Sequence, residues 1–391
     1  MSQLPASLAN LNLAPATLAV HADEHLTSST DIAPPLHVST TFRYASQPED
    51  LIPFTSPTVD SPPLPYIYSR LSAPSTNRLE TVLSSLIGAE TVVYPSGLAA
   101  FHALLTHVNP KRLLITDGYH GCHNTAKIIS RLSGMEVVPL STEPKEGDLV
   151  HLETPLNPTG EALSIQELAE KAHKAGAKLS VDSTLAPPPL QDPFAHGADF
   201  VMHSGTKYFG GHSDMLAGTL SVKSLEEALV LRADRMYLGA IMGNMEAWLG
   251  LRSVKTLELR VSRQSSNATA LAGWLHSELQ KDDDNIVKKV VGKVTHASLQ
   301  SEEWIKGQMP GGFSPVFSVW LKNAVMAKTL PSMLRLWGHA TSLGGVESLI
   351  EWRSMTDAGC DRSLLRLSVG VENVEDLKGD LLRGFEAVVG L

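Results

Sequence analysis

The chain has 391 residues, of which 43% are hydrophobic and 19% charged, and its formal net charge is −9 at pH 7. This is the composition of an ordinary globular protein, and the length allows two domains that share one large buried interior. The acidic balance argues against binding to nucleic acid or to an anionic membrane surface, because both require clustered lysine and arginine. A small-molecule substrate is the partner that this composition favours.

Cysteine content and hydropathy indicate the compartment. Cys122 and Cys360 are the only cysteines, and a pair so far apart does not form the disulfide framework of a small secreted domain. No apolar run reaches the roughly 18–20 residues of a membrane span. The first 18 residues also lack the basic start and unbroken apolar core of a signal peptide. We therefore predict a cytoplasmic protein that does not enter a membrane.

Residues 1–76 are predicted to form an N-terminal arm and loop. The start of the chain is rich in serine and weakly amphipathic, which suggests a tether or docking arm. Residues 47–65 are rich in Pro, Ser and Thr, a composition that interrupts both helical and strand periodicity and indicates an irregular loop. This loop leads directly to Tyr68 and Arg70, so it can position a functional segment.

Residues 77–255 alternate between apolar strand patterns and helical stretches, which predicts a mainly parallel sheet covered by helices on both faces. One helix is predicted over residues 164–175, where Ser164 is followed three residues later by Glu167 and the pattern ends at Gly176. The predicted strands cover residues 112–116, 136–140, 149–152, 178–182, 199–203 and 217–222.

Residues 256–391 are predicted to form a smaller C-terminal α/β domain. A long helical stretch runs from residue 256 to residue 280. Strand patterns follow at residues 315–321 and 364–369.

Two of the predicted strands end in residues that carry chemistry. The strand over residues 178–182 ends at Asp182, and the next one continues into Ser204, Thr206 and Lys207. Taken singly, such a lysine is usually a solvated surface group and such an aspartate usually caps a turn. Ligands of open α/β sheets, however, bind beyond the carboxyl ends of strands, where both groups lie.

These residue types match the needs of a pyridoxal phosphate (PLP) site. Such a site uses a lysine that forms a Schiff base, a carboxylate that keeps the pyridine nitrogen protonated and donors for the phosphate. Lys207 and Asp182 supply the first two. Ser204 and Thr206 supply hydroxyl donors, and the backbone N–H groups of Gly97 and Leu98 add donors at a predicted helix start.

The chain also resembles the PLP-dependent Cys/Met metabolism (trans-sulfuration) enzymes, which include cystathionine γ-synthases, cystathionine γ-lyases and methionine γ-lyases. The segment HSGTKYFGGHSD at residues 203–214 is similar to their lysine signature. The other matching segments lie, in chain order, at residues 34–42, 68–70, 96–98, 117–119, 153–158, 342–348 and 365–370.

The resemblance implies a fold and an assembly. The fold would be the PLP-dependent transferase fold type I, with a mainly parallel seven-stranded sheet in the PLP-binding large domain. In relatives, residues matching Tyr68 and Arg70 reach the phosphate of the neighbouring subunit. The expectation is self-association as a dimer or tetramer, with an active site shared between subunits.

The resemblance also implies roles for residues in the substrate pocket. Tyr119 matches a tyrosine that stacks on the cofactor ring and helps to protonate the leaving group; an ordinary half-buried aromatic is the alternative. Asn157 matches the residue bonded to the ring oxygen of the cofactor. Arg366 matches the arginine that clamps the substrate carboxylate, a task suited to its forked donors. Ser342 and Thr341 are expected to line the same pocket.

A metal site is not predicted. His203, His212 and Cys122 are candidate ligands, but no ligand quartet with plausible spacing assembles around them.

The predicted reaction is γ-substitution or γ-elimination on an activated homoserine, such as O-acetyl- or O-succinyl-homoserine, or on a related sulfur amino acid. It would pass through a vinylglycine-type intermediate that water or an unusual nucleophile can capture. Lys207 would move the protons and Tyr119 would act as the acid. The alternatives are a β-lyase acting on cystathionine or cysteine conjugates, an aminotransferase, and a catalytically silent member of the family.

Three departures from the family pattern bear on this choice. Thr341 stands where many similar cystathionine enzymes carry Glu, which argues against a plain cystathionine γ-lyase. Trp352 and Arg353 replace a common His-Pro, and residues 357–363 form a shortened stretch. These changes predict a reshaped pocket entrance.

Overall fold

The computed structural model describes residues 13–27, 30–53, 55–61 and 65–391, so the first twelve residues of the predicted arm lie outside the described residues. The helices are α1 Pro15–His21, α2 Pro74–Ile87, α3 Gly97–Val108, α4 His120–Ser133, α5 Ile165–Lys174, α6 Leu225–Leu238, α7 Asn244–Val254, α8 Leu257–Gln280, α9 Ile286–Val290, α10 Trp304–Gln308, α11 Ala324–Met333 and α12 Val374–Val388. The strands are β1 Glu90–Tyr94, β2 Arg112–Ile115, β3 Glu136–Pro139, β4 Leu149–Glu153, β5 Lys178–Asp182, β6 Phe200–His203, β7 Gly218–Val222, β8 Val291–Thr295, β9 Val316–Leu321, β10 Gly338–His339, β11 Leu349–Trp352 and β12 Leu364–Ser368.

Side-chain caps fix where the helices nearest the site begin. The Ser96 hydroxyl accepts a hydrogen bond from the Ala99 N–H at 3.1 Å, so α3 starts directly after the end of β1. Ser164 caps α5 in the same way by accepting from the Glu167 N–H at 3.2 Å. Each cap satisfies a backbone donor that the first helical turn would otherwise leave unpaired.

The larger sheet has seven strands in the order β1-β7-β6-β5-β4-β2-β3. Strands β6, β5, β4, β2 and β3 are mutually parallel, whereas β7 is antiparallel to both of its neighbours, β1 and β6. Every residue of β1, β4, β6 and β7 is buried, as expected for strands covered on both faces. The predicted mainly parallel seven-stranded sheet is therefore confirmed.

The smaller sheet has five strands in the order β10-β11-β12-β9-β8, and only the β10–β11 pair is parallel. One face of it packs on α8, α11 and α12 around a core that includes Phe317, Leu367 and Phe385. The C-terminal part of the chain thus has the predicted α/β character.

A loop after β4 joins the two sheets and carries Asn157. The hydroxyl of Ser318 on β9 donates to the Pro158 carbonyl at 2.8 Å, and the hydroxyl of Thr295 on β8 donates to the Thr159 carbonyl at 2.9 Å. At Gly160 the backbone has a φ of +69°, and a Cβ would lie 2.2 Å from the Val316 carbonyl oxygen. Only glycine allows this close approach of the two sheets.

Among the described helices, none combines the length with the apolar character that crossing a bilayer requires.

Candidate active site

Lys207 lies in the turn after β6, and its amine contacts the smaller sheet unit. Its Nζ donates a hydrogen bond to the Ser342 hydroxyl at 2.8 Å. Burial, assisted by the nearby Arg366 guanidinium, lowers the pKa of Lys207 to about 8, while Glu351 acts in the opposite direction. An amine with this pKa has a sizeable neutral fraction near neutral pH and can serve as nucleophile and base.

The segment opposite Lys207 has an unusual backbone. Ser342 has a φ of +79°, which is rare for a residue with a side chain. Gly344 has a φ of +83°, and a Cβ there would lie 3.0 Å from the backbone of Lys207 and Tyr208. Strain of this kind persists where the surroundings fix a functional geometry.

Asp182 ends β5 as a buried carboxylate that forms no ion pair with any residue of the described segments. Its Oδ1 accepts hydrogen bonds from the Thr184 hydroxyl at 2.5 Å and from the Thr184 N–H at 3.0 Å. Burial raises the pKa of Asp182 despite these bonds. A cationic ring N–H placed against it would relieve this desolvation, so Asp182 fits the nitrogen of a protonated pyridine.

The start of α3 and the segment after β6 lie against each other. A Cβ on Gly97 would lie 3.0 Å from Cβ of Ser204, so the two segments touch. The Ser204 N–H donates to the Thr184 hydroxyl at 2.8 Å, which connects these segments to Asp182. The N–H groups of Gly97 and Leu98 in the first turn of α3 have no hydrogen-bond partner among the described residues, so they could donate to a phosphate.

Thr206 lies in the segment after β6, but its hydroxyl is engaged elsewhere. It donates to the Ala217 carbonyl at 3.2 Å and accepts from the Ala217 N–H at 3.0 Å. In this arrangement Thr206 braces the lysine turn against the segment that leads into β7.

Glu153, at the end of β4, was not singled out by the sequence analysis as a site residue, although it lies within the motif over residues 153–158. Its two carboxylate oxygens accept hydrogen bonds of 2.7 Å from the N–H groups of Tyr119 and Asn157. It thus positions two predicted site residues at once. Burial and the negative charge of Asp182 raise the pKa of Glu153.

Tyr119 precedes α4 and keeps 40% of its surface exposed, so its ring faces the open part of the site. A Cβ on Gly121 would lie 2.4 Å from the Tyr119 ring, so glycine is needed there for this ring position. Burial of part of the ring raises the pKa of Tyr119, which keeps its hydroxyl protonated.

Arg366 on β12 connects the predicted substrate-pocket residues. Its Nη1 donates to the Asn157 side-chain oxygen at 3.1 Å, and its Nη2 donates to the Ser342 carbonyl at 2.7 Å. Nη2 also forms an ion pair of 2.7 Å with Oε2 of Glu351 on the neighbouring strand β11. Burial lowers the pKa of Arg366 to about 10, so it stays cationic at neutral pH.

Comparison with known proteins identifies the family. A model of the Cys/Met metabolism PLP-dependent enzymes matches residues 16–386. The chain belongs to this family. It is a PLP-dependent trans-sulfuration enzyme, a γ-synthase or carbon–sulfur lyase that acts in amino-acid metabolism.

Similar relatives carry several activities of the trans-sulfuration family. The chain is 35% identical to a cystathionine β-lyase of Lactococcus lactis over 83% of this chain and 89% of the relative. It is 32% identical to the cystathionine γ-lyase of Saccharomyces cerevisiae, with 94% and 95% covered. A solved cystathionine γ-synthase of Xanthomonas oryzae pv. oryzae superposes with a TM-score of 0.84 at 28% identity, covering 97% of this chain and 99% of that one.

The fold matches these trans-sulfuration enzymes, so the predicted PLP-dependent fold and the PLP cofactor are confirmed. The residues present fit the cofactor: Asp182 is a buried carboxylate without an ion pair among the described residues, which would suit a protonated ring nitrogen, and the start of α3 would suit its phosphate. Thr184 and Glu153 support this arrangement. The sequence signal for Thr184 was its position two residues after Asp182.

Two predicted site residues lie apart from the cluster that Lys207 forms with Ser342, Arg366 and Asn157. No hydrogen bond, ion pair or ring contact of the described residues links Tyr68 or Arg70 to it; the Arg70 guanidinium lies 5.4 Å from the Tyr68 ring centre instead. Thr341 is exposed next to Ser342.

One buried trio lies beneath the site. Ligand atoms of Cys122, His151 and Asp182 all lie within 4.8 Å of one another. Nδ1 of His151 is 2.7 Å from the Ser180 hydroxyl, and burial lowers the pKa of His151 to about 3. The absence of a metal from the predicted site stays a prediction.

Proposed function

We propose that the enzyme catalyses γ-substitution or γ-elimination on an activated homoserine or a related sulfur amino acid. The observation that carries this proposal is the direct contact between Lys207 and Ser342, which also contacts Arg366 through its carbonyl. This places the amine that moves protons beside the arginine that would hold the substrate carboxylate. At the pocket edge, Thr341 stands where many similar cystathionine enzymes have an acidic side chain.

In this proposal the cofactor is held from three sides. Lys207 would hold it covalently, and Asp182 would pair with its ring nitrogen. The start of α3 and Ser204 would hold its phosphate, with Thr206 bracing the segment through Ala217. Asn157 would bond the ring oxygen. The bound cofactor supplies an electron sink for negative charge that develops on the substrate.

The residues of the chain then handle the protons. The Lys207 amine would take the proton from Cα of the substrate and, for γ chemistry, a proton from Cβ. Tyr119, kept protonated by its raised pKa, delivers a proton to the leaving group. Arg366 binds the substrate carboxylate beside Ser342, so that Cα lies within reach of Lys207.

A shallow cavity of about 320 Å³ beside Asn157 provides room for the substrate side chain or an incoming nucleophile. It is lined by Asp117, Gly118, His120, His123, Asn124, Lys127, Asn157, Pro158 and Asp357. Its lining mixes polar and apolar surface and includes Lys127, Asp117 and Asp357, so it offers charges of both signs to a zwitterionic reactant.

We further propose that residues 1–76 complete the phosphate site of a neighbouring subunit, so that the active assembly is a dimer or tetramer. Tyr68 is 40% exposed, and together with Arg70 it lies away from the cluster of its own chain. Residues 77–255 would then form the PLP-binding domain and residues 256–391 the second domain.

Mixing two inactive variants tests the shared site. Arg70→Ala removes the donated group, and Lys207→Ala removes the cofactor lysine. Mixed dimers formed by subunit exchange contain one site with both native residues, so we expect activity to recover to roughly a quarter of wild type, as random pairing predicts. Recovery that stays at the level of the separate variants would refute sharing.

The reaction itself is tested with O-acetyl-homoserine, with and without cysteine, while products are identified by mass spectrometry. Release of acetate with 2-oxobutanoate or a substituted amino acid supports γ chemistry. O-succinyl-homoserine, cystathionine and methionine extend the test. If all four leave products and cofactor absorbance unchanged, the proposal fails.

A β-lyase is the second candidate, because the cystathionine β-lyases of Lactococcus lactis are 35–36% identical to the chain. Cystathionine distinguishes the two reactions. Cleavage on the β side yields pyruvate, whereas cleavage on the γ side yields 2-oxobutanoate.

A further inference from the structure

Glu351 is a buried carboxylate shared by two arginines. Its Oε2 lies 2.7 Å from Nη2 of Arg366 and 2.8 Å from Nη1 of Arg353, and its Oε1 accepts a hydrogen bond from the Thr356 hydroxyl at 2.7 Å. Glu351 and Arg366 are direct cross-strand partners on β11 and β12, which places their side chains together. The proposed substrate clamp is therefore already paired with a carboxylate of its own chain.

This pairing occupies the donors that a substrate would need. A carboxylate binds arginine best through two parallel N–H groups. Nη2 of Arg366 forms the ion pair with Glu351 and donates to the Ser342 carbonyl, and Nη1 donates to Asn157. A substrate carboxylate that engages Nη2 has to take the place of Glu351 or lie against its negative charge.

Arg353 gives Glu351 a second cationic partner. Arg353 is 7% exposed, and its Nε is buried without a hydrogen-bond partner among the described residues. Its Nε–H is therefore available as a further donor to a carboxylate. Trp352, which precedes it, is fixed by a hydrogen bond of 2.8 Å from its indole N–H to the Arg362 carbonyl. Trp352 and Arg353 thus anchor the start of the β11–β12 connection, Trp352 to the Arg362 carbonyl and Arg353 to the Glu351 carboxylate.

We propose that Glu351 competes with the substrate carboxylate for Arg366, and that Arg353 is the positioning residue that receives Glu351 when the substrate binds. This inference rests on the proposed role of Arg366 as the carboxylate clamp. The charges support it: Glu351, Arg353 and Arg366 sum to +1, and one bound carboxylate brings the group to zero. Without Arg353, two carboxylates would share one arginine, which is unfavourable in a buried site.

The test uses the holoenzyme with two small amines as probes. Glycine carries a carboxylate, whereas glycine methyl ester carries none, and both exchange with the same lysine. Dissociation constants for each probe are measured from the cofactor absorbance in the wild type, in Glu351→Gln, in Arg353→Gln and in the double variant. Comparing the two probes separates carboxylate recognition from any effect on Lys207.

The expected pattern is specific. Glu351→Gln binds glycine about three- to tenfold more tightly, because the internal competitor loses its charge, and Arg353→Gln binds it more weakly by a similar factor. The double variant returns towards the Glu351→Gln value, since Arg353 matters only through Glu351. The methyl ester binds with nearly the same constant in all four proteins.

Matched controls keep the test decisive. Arg353→Lys retains the charge and should restore part of the affinity if Arg353→Gln folds poorly. Arg112→Gln is the second control, because Arg112 at the start of β2 forms an ion pair with Asp148. This variant should lower the unfolding midpoint and leave the affinity for glycine unchanged. Unchanged or weaker glycine binding in Glu351→Gln would overturn the inference.

Arg366→Gln separates this inference from the proposed function. If that variant binds glycine as well as the wild type does, the clamp assignment itself fails. If it loses affinity while Glu351→Gln shows no gain, only the competition between carboxylates fails.

Discussion

The floor and the wall of the active site use buried charge in opposite ways. The floor, formed by Asp182, Glu153 and Lys207 at the ends of the large sheet, holds ionisable groups that form no ion pair with any described residue. In the wall, formed by Glu351, Arg353 and Arg366 on the smaller sheet unit, both arginines contact the one carboxylate, so no charge is isolated although the group keeps a net charge of +1. Burial shifts the pKa values of the floor groups towards their neutral forms, whereas the arginines lower the pKa of Glu351.

The contrast distinguishes chemistry from recognition. A buried group without a compensating charge is costly unless a ligand completes it, so the floor is arranged for a cofactor that brings a cationic ring and an aldehyde. In the wall each arginine already contacts Glu351, so a carboxylate ligand that engages Arg366 has to compete with Glu351. In the proposed function the floor would hold the cofactor, and the wall would bind the substrate carboxylate.

Replacing Lys207 should have the largest effect. We expect Lys207→Ala to lower turnover by roughly a thousandfold or more, because no other described amine lies at the floor. Borohydride reduction followed by mass spectrometry should show no covalently attached cofactor. Lys174→Ala, at the exposed end of α5, serves as the control and should match wild type. Substantial residual turnover would mean that the wall can supply the base, which would break the comparison.

The next largest effect is expected at Asp182. Asp182→Asn keeps the shape but removes the charge that holds a ring proton, so we expect roughly a hundredfold loss of turnover with the cofactor still bound. The absorbance of the cofactor band should change with it. Asp199→Asn is the control. The Asp199 carboxylate accepts a hydrogen bond from the Leu179 N–H at 2.7 Å, at the amino ends of β5 and β6 and so at the opposite end of these strands from Asp182. This variant should change stability alone.

The lowered pKa of Lys207 predicts the pH dependence of cofactor uptake by the apoenzyme. Only the neutral amine attacks an aldehyde, so the uptake rate should rise with pH to a midpoint near 8 and then level off. A lysine with an ordinary pKa of about 10.4 would instead give a rate that keeps rising to about pH 10.

Two residues of the wall should shift the midpoint pH of cofactor uptake. Arg366→Gln should move it upwards, because Arg366 lowers the pKa of Lys207, and Glu351→Gln should move it downwards. Stopped-flow absorbance measures the rate. A midpoint above pH 10 in the wild type would contradict the burial of the amine.

The smallest effect concerns the backbone of Ser342. Ser342→Gly relieves the cost of its φ of +79°, whereas Ser342→Ala keeps that cost, and both remove the hydroxyl that contacts Lys207. We expect the glycine variant to be about 1 kcal/mol more stable than the alanine variant. Chemical denaturation measures the difference. Equal stabilities would show that the backbone at Ser342 relaxes in solution.

Much of the floor could be predicted from the sequence because its residues follow strands with clear periodicity. The strand over residues 178–182 and the helix near residues 164–175 match the structure closely. Ser204 connects the segments that carry Asp182 and Lys207: its N–H donates to the Thr184 hydroxyl beside Asp182, and its carbonyl accepts from the Lys207 N–H. Glu90–Tyr94 was not predicted as a strand, although all five of its residues are buried. Its apolar run is short, and a short buried strand resembles a piece of core helix.

The wall could not be predicted in the same way, because its contacts depend on register. Glu351 meets Arg366 only because β11 pairs with β12 in one alignment, and nothing in the local pattern fixes that alignment. The sequence marked Arg353 as a departure from the family but did not indicate its partner. The role of Glu153 could not be predicted for a related reason. Its partners are the backbone N–H groups of Tyr119 and Asn157, and backbone donors cannot be recognised from the types of side chain in the sequence.

The reversed strand β7 has a consequence for how the protein acquires its cofactor. The start of α3 and the segment after β6 meet because β7 inserts between β1 and β6, and a Cβ at Gly218 would lie 2.1 Å from the Ser96 carbonyl oxygen. Contacts between stretches so far apart in the chain cost loop-closure entropy and are slow to form. We therefore expect a newly made chain to capture PLP only after β7 has taken its place between β1 and β6.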